Sequence, residues 1–447
     1  MKQINSLTAI SPIDGRYRKE CEELSNYFSE FAYLKYRLQT EIKYLNAISK
    51  IGVVRKINSN EQEVLNKIIN EFNIEEAEKI KQIEEKTRHD VKAIEYYIKN
   101  RLEKTSLSDL SEFIHFGLTS EDINNIAQRL MLKDSLGNVL LKYINNLNAE
   151  LLIYAKKYKH QPMLARTHGQ PAVPTTLGKE FLVFYQRLNN EIKILKQTKL
   201  RAKLNGAVGN YNALYFAFPK LNWIKFSKDF VSSFGLDLNQ TTTQIAPYED
   251  IIYFFQTIQR INNIILDFNQ DMWRYISDGW FIQENKKGEI GSSTMPQKIN
   301  PILFENSEGN IIVANSMIEG FTNKLSISRL QRDLSGSTIS RNFGVVLAYC
   351  LISYQNTLEG FKRIKPNKEK IEKDLNEDWS ILSEAVQIYL KKEGVKNGYE
   401  IVKNLTRGQR LDQNSFLNLI NKLPLDKGQK DELKKITPLN YVGMRFD

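Results

Sequence analysis

The feature that most constrains this 447-residue chain is a series of long stretches with almost no helix-breaking residues. Residues 122–161 contain one glycine and no proline, and residues 179–205 contain neither. Residues 251–276 place apolar side chains at helical spacing, and residues 304–325 and 343–361 are two further helix candidates. Five amphipathic helices of this length can bury their apolar faces only by packing together. The middle of the chain is therefore predicted to form a five-helix bundle.

Highly charged segments with shorter helical patterns lie on both sides of this bundle. Apolar periodicity appears over residues 31–48, 61–72 and 90–102, and the composition becomes charged again after Pro366. The sequence shows no convincing alternation typical of β-strands and no internal repeat, so we predict an all-α fold with three domains. The predicted domains are 1–111, 112–364 and 365–447. Apolar faces this wide also favour burial against other subunits.

The charge balance is basic, with a net charge of +11 and a pI near 9.2. Such a balance fits either a nucleic-acid-binding protein or an enzyme for polyanionic small molecules. The lysines are scattered among acidic residues, as on solvated helix faces, and do not form a stripe with aromatic residues. The chain is also rich in Ile, Asn and Lys, a bias that A/T-rich coding produces without selection for a partner. We therefore do not expect nucleic acid as the main partner.

The two cysteines, Cys21 and Cys350, are far apart in sequence and outside any metal-ligand spacing. Reduced thiols in a cytoplasmic protein are the simplest interpretation. The N-terminal segment lacks the apolar core of a signal peptide, and the longest apolar run, residues 345–354, is too short to span a bilayer. We therefore expect a cytoplasmic protein that does not associate with membranes.

The segment with the most chemical information is GEIGSSTMPQKINP at residues 288–301, within a predicted loop at 286–301. Its glycines and prolines exclude a regular helix or strand, and Pro301 suits the first turn of a following helix. For an arbitrary Gly/Ser-rich segment, a surface linker is the simplest interpretation. The order of serines, lysine and asparagine here is too specific for a linker and favours a catalytic loop.

Three further segments carry residue types suited to acid–base chemistry on an anionic substrate. RTHGQP at residues 166–171 places His168 in a predicted turn between two long helices, and a histidine titrates near neutral pH. TRHDVK at 87–92 is typical of a helix start with a charged first turn. FGLTSEDINN at 116–125 is typical of a capping box, and its helix N-terminus also suits an anion. We assign His115, just before the Thr-Ser pair, a structural role.

Together with SPIDGRY (11–17), TTTQIAP (241–247) and LQRDLSGSTISRN (330–342), these segments resemble the signature segments of the adenylosuccinate lyases. That family belongs to the fumarase/aspartase superfamily. The resemblance extends from SPIDGRY to TPLNYVG near the C-terminus, so it covers essentially the whole chain. TSEDINN, NGAVGNYNA and FENSEGN are typical of the bacterial branch.

The resemblance implies elimination of fumarate from adenylosuccinate, and from the succinylated carboxamide ribotide (SAICAR), in purine nucleotide synthesis. By resemblance, Ser292 is the general base and His168 is the general acid that protonates the departing nitrogen. Loss of the weakly acidic β-proton places a second negative charge on the adjacent carboxylate, which Lys298 and Asn300 would stabilise. Lys298 and the following helix N-terminus would also favour the serine alkoxide. His89 would support His168, either in proton transfer or only in binding.

The resemblance also implies a set of substrate-binding residues. The arginines among them would supply cations for a substrate with two carboxylates and a phosphate. Arg16, Arg332 and Arg341 would hold the phosphate, and Thr119 with Ser120 would bind a carboxylate. The full set is Arg16, Tyr17, Arg88, His89, Asp90, Thr119, Ser120, Thr167, Gln244, Ser293, Lys298, Asn300, Asn306, Arg332, Ser337, Thr338, Ile339, Ser340 and Arg341.

For the assembly, the resemblance implies a homotetramer in which the central bundles of four subunits form one helical core. Each active site would then combine residues of three chains, so an isolated subunit would be inactive. The resemblance implies no metal and no organic cofactor.

One position departs from the family pattern. Many close relatives have histidine where this chain has Gln297, and glutamine there is familiar from argininosuccinate lyases. Glutamine can bind a carboxylate through hydrogen bonds but cannot titrate, so we expect a different pH dependence. The other segments favour a nucleotide substrate, and argininosuccinate lyase or another fumarase/aspartase-type lyase is the alternative. A structural protein of this fold is disfavoured because Ser292 and His168 are both present.

Overall fold

The computed structural model describes residues 5–284, 288, 294–408 and 410–446. They are predominantly helical with a few short strands, which confirms the predicted all-α class. In these residues the α-helices are α1 (Arg18–Cys21), α2 (Ser25–Phe28), α3 (Glu30–Lys50), α4 (Ser59–Asn70), α5 (Ile74–Thr87), α6 (Asp90–Leu102), α7 (Ser120–Ser135), α8 (Leu141–Lys157), α9 (Leu177–Lys196), α10 (Asn212–Ala217), α11 (Trp223–Ser232), α12 (Glu249–Ser277), α13 (Ile302–Leu325), α14 (Ser335–Ser340), α15 (Phe343–Lys362), α16 (Lys368–Asn376), α17 (Ser383–Lys392), α18 (Gly398–Thr406), α19 (Gln413–Asn421) and α20 (Lys427–Leu433). Short 3-10 helices lie at Glu22–Leu24, Ser108–Phe113 and Trp379–Leu382, and a π-helical turn lies at Leu136–Leu140.

The strands of the described residues pair two by two. The first sheet is an antiparallel hairpin, the second a parallel pair and the third an antiparallel pair. Their members are β1 (Pro162–Thr167) with β2 (Gln170–Thr176), β3 (Arg201–Ala202) with β4 (Asp237–Leu238), and β5 (Phe281–Gln283) with β6 (Ile364–Pro366). The sequence did not predict these strands, which are too short or too rich in proline to show a clear alternation.

The five long helical segments predicted from the sequence are all present. α12, α13 and α15 match their predicted ranges within a few residues. Residues 122–161 form α7 and α8, which the π-helical turn joins. The segment predicted to continue to residue 205 leaves the helix after Lys196, because Arg201–Ala202 pair with Asp237–Leu238 as a parallel strand.

The contacts of the chain divide it into two compact units. Unit 1 consists of residues 1–144, 192–263 and 309–353. Unit 2 consists of residues 145–191, 264–308 and 354–447. The division falls within the long helices α8, α9, α12, α13 and α15, and the three-domain division stays a prediction.

In unit 1, α3 provides the centre of the N-terminal core. Ser29 caps its N-terminus by accepting a backbone N–H. Leu34, Leu38, Ile42 and Leu45 recur every three or four residues and are all buried, as their spacing predicts. Each fully buried side chain of this size contributes about 1.5–3 kcal/mol. This face packs against α6 and α7, the two helices that begin at predicted site residues.

Unit 2 has an aromatic core. Tyr154, Phe181, Phe268 and Phe361 pack with ring centroids 4.3–6.3 Å apart, mostly in tilted or edge-to-face arrangements. The Tyr154 hydroxyl donates a hydrogen bond to the Ile364 carbonyl at 3.0 Å, which satisfies the polar end of this ring. The β1–β2 hairpin of the same unit packs against α16. None of the helices in the described part of the chain combines the length and low polarity needed to cross a membrane.

Candidate active site

The predicted site residues are distributed over both units. Unit 1 contains Arg16, Tyr17, Arg88, His89, Asp90, Thr119, Ser120, Gln244, Arg332, Ser337, Thr338, Ile339, Ser340 and Arg341. Unit 2 contains Thr167, His168, Lys298, Asn300 and Asn306. Ser292 and Ser293 lie outside the described residues.

In unit 1, the turn between α5 and α6 carries Arg88 and His89. Arg88 ends α5 with a left-handed φ of 54°, which turns the chain sharply. His89 caps α6, as its Nδ1 accepts the backbone N–H of Lys92 at 3.1 Å. This bond requires an unprotonated Nδ1, so the neutral ring carries its proton on Nε2. The side chain is 52% exposed, and Nε2 is the nitrogen left for a substrate. The prediction of a helix start here is confirmed.

Asp90, the first residue of α6, lies between two arginines. Its Oδ2 accepts a hydrogen bond from Arg37 Nη2 at 2.7 Å and is 3.8 Å from Arg341 Nη2. Burial alone would raise the pKa of this carboxyl, but the Arg37 guanidinium and the Val91 N–H lower it below its usual value. Asp90 is therefore held ionised next to His89.

The N-terminus of α7 is a second feature of unit 1. Thr119 is its N-cap and Ser120 its first residue, and both are half-buried. Asp122 Oδ2 accepts the Thr119 backbone N–H at 2.9 Å, which confirms the predicted capping box. The free N–H groups of this turn and the positive end of the helix dipole favour a bound carboxylate.

A buried ion pair supports this helix end. Lys203 Nζ lies 2.9 Å from Asp122 Oδ1 and donates to the carbonyls of Gly206 and Gln244, also at 2.9 Å. Neither charged side chain is exposed. Asp122 also accepts the backbone N–H groups of Asn205 and Gly206. The pair thus ties the start of α7 to the segment that carries Gln244.

Arg332 is oriented by two groups in the same unit. Its Nη1 donates to Gln244 Oε1 at 3.0 Å, and its Nη2 lies 3.7 Å from Glu121 Oε2. Burial raises the pKa of Glu121, although Arg332 and neighbouring cations oppose the shift. Glu121 Oε1 is buried and has no hydrogen-bond partner among the described residues. The 3.7 Å separation between Arg332 Nη2 and Glu121 Oε2 is too long for a hydrogen bond, so this guanidinium can still bind an anionic substrate.

α14 brings its serines to α7. Ser340 Oγ accepts a hydrogen bond from Gln128 Nε2 at 2.9 Å and donates one to the Ser337 carbonyl at 3.1 Å. The predicted residues Thr338 and Ile339 lie in the same short helix between these serines. The contact with Gln128 fixes this segment against α7.

Arg341 follows α14 directly and is exposed. Its Nη1 lies 3.4 Å from Glu30 Oε2, and 55% of its side chain is exposed. A cavity of about 180 Å³ lies between Arg341 and the 13–18 segment. Arg16, within that segment, is exposed, with its guanidinium carbon 6.0 Å from the centre of the Tyr17 ring. The structure thus places the SPIDGRY segment beside Arg341.

In unit 2, His168 lies at the tip of the β1–β2 hairpin. His168 and Gly169 have φ angles of 52° and 74°, and Thr167 pairs with Gln170 across the turn. Two successive positive φ values are typical of the type I′ turn that closes two-residue hairpins. The predicted turn between two long helices is thus a hairpin that follows α8 and precedes α9. Its geometry leaves Thr167 and His168 exposed for contact with a substrate.

Residues 294–301 form the described end of the predicted loop and lead into α13. The Lys298 N–H donates to the Met295 carbonyl at 3.0 Å, which makes a turn. Gln283 Nε2 donates to the Ile299 carbonyl at 2.9 Å and attaches this segment to β5. Lys298 is exposed, and the helix begins directly after the proline, at Ile302. Two further predicted residues flank the helix start, Asn300 and Asn306.

Residues that orient the predicted ones were missed by sequence reasoning. These are Arg37, Glu121, Asn124 and Gln128. Glu121 and Asn124 lie inside the TSEDINN segment, and that position was the available signal. Arg37 and Gln128 resemble ordinary solvent-facing helix residues in the sequence, and only the packing of α3, α7 and α14 shows that they are buried.

The described part of the chain contains no group of three or more His, Cys, Asp or Glu side chains that could hold a metal ion. The positive charges near the starts of α6 and α7 include those of Arg37, Arg332 and the buried Lys203. Cys21 and Cys350 are both buried, and neither forms a disulfide in the described part of the chain. Burial raises the pKa of Cys21 to about 12, so this thiol stays protonated and unreactive.

Comparison with known proteins extends these observations. The family model described as "Lyase" matches residues 15–315, and the one described as "Adenylosuccinate lyase C-terminal" matches residues 328–442. The adenylosuccinate lyase of Buchnera aphidicola subsp. Acyrthosiphon pisum is 46% identical over 99% of this chain and 98% of that protein. Those of Legionella pneumophila (strain Corby) and Escherichia coli (strain K12) are 45% and 42% identical over the same shares.

Solved structures share the fold at lower sequence identity. A β-carboxy-cis,cis-muconate cycloisomerase from Acinetobacter calcoaceticus sp. ADP1 has a TM-score of 0.72 at 17% identity, with 94% of this chain and 95% of that chain covered. A fumarate lyase from Mesorhizobium sp. BNC1 has a TM-score of 0.75 at 15% identity, with the same coverage. At these identities the likeness concerns the fold alone. On the matches that span nearly its whole length, the chain belongs to the adenylosuccinate lyase family and is a lyase that releases fumarate.

Proposed function

We propose that this protein cleaves adenylosuccinate to AMP and fumarate in purine nucleotide synthesis. The observation that carries the proposal is the identity of 42–46% to adenylosuccinate lyases over 99% of the chain. The arrangement in unit 1 supports it, because exposed or partly neutralised arginines lie near a helix N-terminus suited to a carboxylate. A substrate with a phosphate and a succinyl group fits these charges. The protein is proposed to act in the cytoplasm.

In the proposed reaction, the Ser292 alkoxide removes the proton from the β-carbon of the succinyl group. The electron pair moves into the adjacent carboxylate, where Lys298 and Asn300 stabilise the added charge. The carbon–nitrogen bond then breaks, its electron pair goes to the departing nitrogen, and the double bond of fumarate forms. His168 donates a proton to that nitrogen. The exposed position of His168 at a hairpin tip and of Lys298 near α13 is compatible with these roles.

The binding roles follow from the local charges. Arg332 and Arg341 are proposed to hold the phosphate, because each is only partly neutralised by nearby carboxylates and both can form charge-assisted hydrogen bonds. Thr119 and Ser120 are proposed to bind a carboxylate at the N-terminus of α7. His89 is proposed to offer Nε2 to the substrate, since Nδ1 is used in capping α6. Gln244 would contact the substrate from its position beside Arg332.

A second substrate is proposed for the same site. SAICAR shares with adenylosuccinate the succinylated nitrogen and the ribose phosphate, which are the groups that these residues would bind. Both substrates should therefore lose fumarate through the same base. If Ser292→Ala abolished release from adenylosuccinate but not from SAICAR, a single site for both reactions would be contradicted.

The catalytic test compares fumarate release by the wild type, Ser292→Ala and His168→Ala. Each substitution should lower kcat by about 10²–10⁴-fold, the range of a positioned acid or base. Met295→Leu changes an exposed side chain of the same loop and should keep kcat within about twofold. Argininosuccinate serves as the substrate control. Release of fumarate from argininosuccinate but not from adenylosuccinate would show that the proposed substrate is wrong. In that case Gln297, which is familiar from argininosuccinate lyases, would have indicated the substrate correctly.

A homotetramer with active sites shared between chains is also proposed. The exposed apolar side chains of α13, such as Ile312 and Val313, are compatible with burial against another subunit. Separately purified Ser292→Ala and His168→Ala proteins should regain activity when subunits are exchanged between them, because mixed tetramers then contain some sites with both wild-type residues. A fully active monomer in gel filtration would contradict this assembly.

A further inference from the structure

A buried arginine in α3 connects two segments used by the proposed function. Only 2% of the Arg37 side chain is exposed, and the other buried positions of α3 are mostly apolar. A guanidinium is costly to bury unless its charge and hydrogen bonds are compensated. Arg37 Nη1 is itself buried with no hydrogen-bond partner among the described residues. Packing therefore gives no reason for an arginine at this position.

The contacts of Arg37 point to its role. Its Nε donates to Asn124 Oδ1 and its Nη2 to Asp90 Oδ2, each at 2.7 Å. The guanidinium carbon lies 3.6 Å from the centre of the Tyr33 ring, which holds the planar group in place. Asp90 begins α6 and Asn124 lies in the first turns of α7. One side chain of α3 thus fixes the starts of both helices.

The Asp90 carboxylate connects Arg37 to the start of α6 and to Arg341. Its Oδ1 accepts the Val91 N–H at 2.9 Å, and its Oδ2 is shared between Arg37 and the more distant Arg341. His89 precedes it directly and takes its ring orientation from the same helix start. A change in the position or charge of Asp90 would therefore alter the orientation of His89 and of Arg341.

We propose that Arg37 is a positioning residue for the lyase reaction, which holds the Asp90 side chain in place and thereby orients His89 and Arg341 relative to the N-terminus of α7. The inference rests on the proposed function. Arg37 needs no contact with the substrate to act in this way. Its effect is expected mainly on substrate binding, because the residues that it orients are proposed binding residues.

The charges around Asp90 predict a pH signature. The groups that face this carboxylate are Arg37 and Tyr33 from α3, His89 from its own turn and Arg341 from the residue after α14. Arg37 is the nearest cation and the only buried one of these. Without it, the cation nearest to this half-buried carboxylate would be the exposed Arg341, at 3.8 Å. The carboxyl would then take up a proton at higher pH and no longer attract Arg341.

The test measures kcat, KM and the melting temperature of Arg37→Lys, Arg37→Met, Asp90→Asn and the Arg37→Met/Asp90→Asn double variant with adenylosuccinate. Arg129→Lys is the matched control. Arg129 is also fully buried in unit 1 and is paired with an aspartate, Asp250, at 2.9 Å. Its side-chain hydrogen bonds go to Asp250, Asn125 and Pro247, and none goes to a predicted site residue within the described part of the chain. It reports what a conservative change at a purely structural buried arginine does.

We expect Arg37→Lys to raise KM about tenfold or more, with a melting temperature close to that of Arg129→Lys, which should keep KM within about threefold. Arg37→Met should lower kcat/KM about a hundredfold, as expected when binding groups shift by about an ångström. Its acidic limb of kcat/KM should move to higher pH, because the Asp90 carboxyl loses the cation that lowers its pKa. The double variant should lose this shift and be within about twofold of Arg37→Met, because both changes remove one interaction.

Several results would overturn the inference while leaving the proposed function intact. In each case the wild type is active on adenylosuccinate. The first result is a KM of Arg37→Lys equal to that of the wild type, and the second is an equal rise of KM in Arg37→Lys and in Arg129→Lys. The third is a double variant whose loss of kcat/KM is the product of the losses in Arg37→Met and Asp90→Asn. If Arg37→Met does not fold, the KM of Arg37→Lys relative to that of Arg129→Lys decides the question. A wild type without activity on adenylosuccinate would instead refute the proposed function.

Discussion

Neutralising Asp122 should strongly destabilise unit 1, because this carboxylate is the counter-charge of a fully buried lysine. Lys203 Nζ has three donors, and Asp122 and two backbone carbonyls use all of them at 2.9 Å. Removing one partner of a buried pair leaves an uncompensated charge and costs about 3–5 kcal/mol. In Asp122→Asn the amide has nearly the same size as the carboxylate, so the loss reflects charge and hydrogen bonding and not a cavity.

The assay is native-state hydrogen exchange of the segments around residues 119–130 and 203–211. The amides of Thr119, Asn205 and Gly206 bond directly to Asp122, so they report local opening. A loss of about 3–5 kcal/mol corresponds to exchange about a hundred to a few thousand times faster, since each 1.4 kcal/mol is tenfold. Local exchange reports the opening of these segments directly and requires no assumption about how the two compact units unfold.

Two comparisons decide whether burial is the cause. Asp267→Asn breaks an ion pair with Arg187. At 2.6 Å this pair is shorter than the pair of Asp122 with Lys203, but both of its side chains are about half exposed. Its loss should therefore cost at most about 1 kcal/mol. In a double-mutant cycle, Asp122→Asn/Lys203→Met should cost clearly less than the sum of the single changes, because no isolated charge remains. Equal effects of Asp122→Asn and Asp267→Asn, or additive losses in the cycle, would refute the reasoning.

Two further predictions concern packing and pH. Gly344→Ala should destabilise the protein by about 1–3 kcal/mol in urea unfolding, because the added Cβ would lie 2.3 Å from the Phe28 Cβ. The control is Gly320→Ala, whose Cβ would enter open space, so this variant should be neutral or stabilising. A Gly344→Ala protein as stable as the wild type would contradict this reasoning. Burial alone would lower the pKa of His115, but the Glu41 carboxylate, 2.6 Å from its Nδ1, raises this pKa above its usual value. The pair therefore stabilises the fold fully below about pH 6.5. It loses this contribution as the pH rises through the higher pKa of the folded state. The stability advantage of the wild type over His115→Gln should thus be larger at pH 5.5 than at pH 9, and a constant difference between the two urea midpoints would argue against the ion pair.

Helix position was predictable because it depends on local spacing. The prediction of a helix over residues 90–102 matches α6, and the five long helices follow from stretches without proline. Capping could be predicted in the same way, as at Thr119, because the cap and its partner lie three residues apart. The hairpin at residues 162–176 could not be predicted from the sequence. Its strands are short and contain three prolines, and they are held by pairing with each other and by packing against α16.

For the candidate site, the sequence by itself determined which chemical groups are present. The serine, lysine and histidine motifs resemble those of one family, and the comparisons with known proteins confirm that family. What only the tertiary structure decided is which residues orient these groups. Arg37 meets Asp90 across 53 positions of sequence, and Gln128 meets Ser340 across 212. Hydrophobic periodicity encodes which face of a helix is buried, but the partner of a polar side chain on that face depends on how distant helices pack.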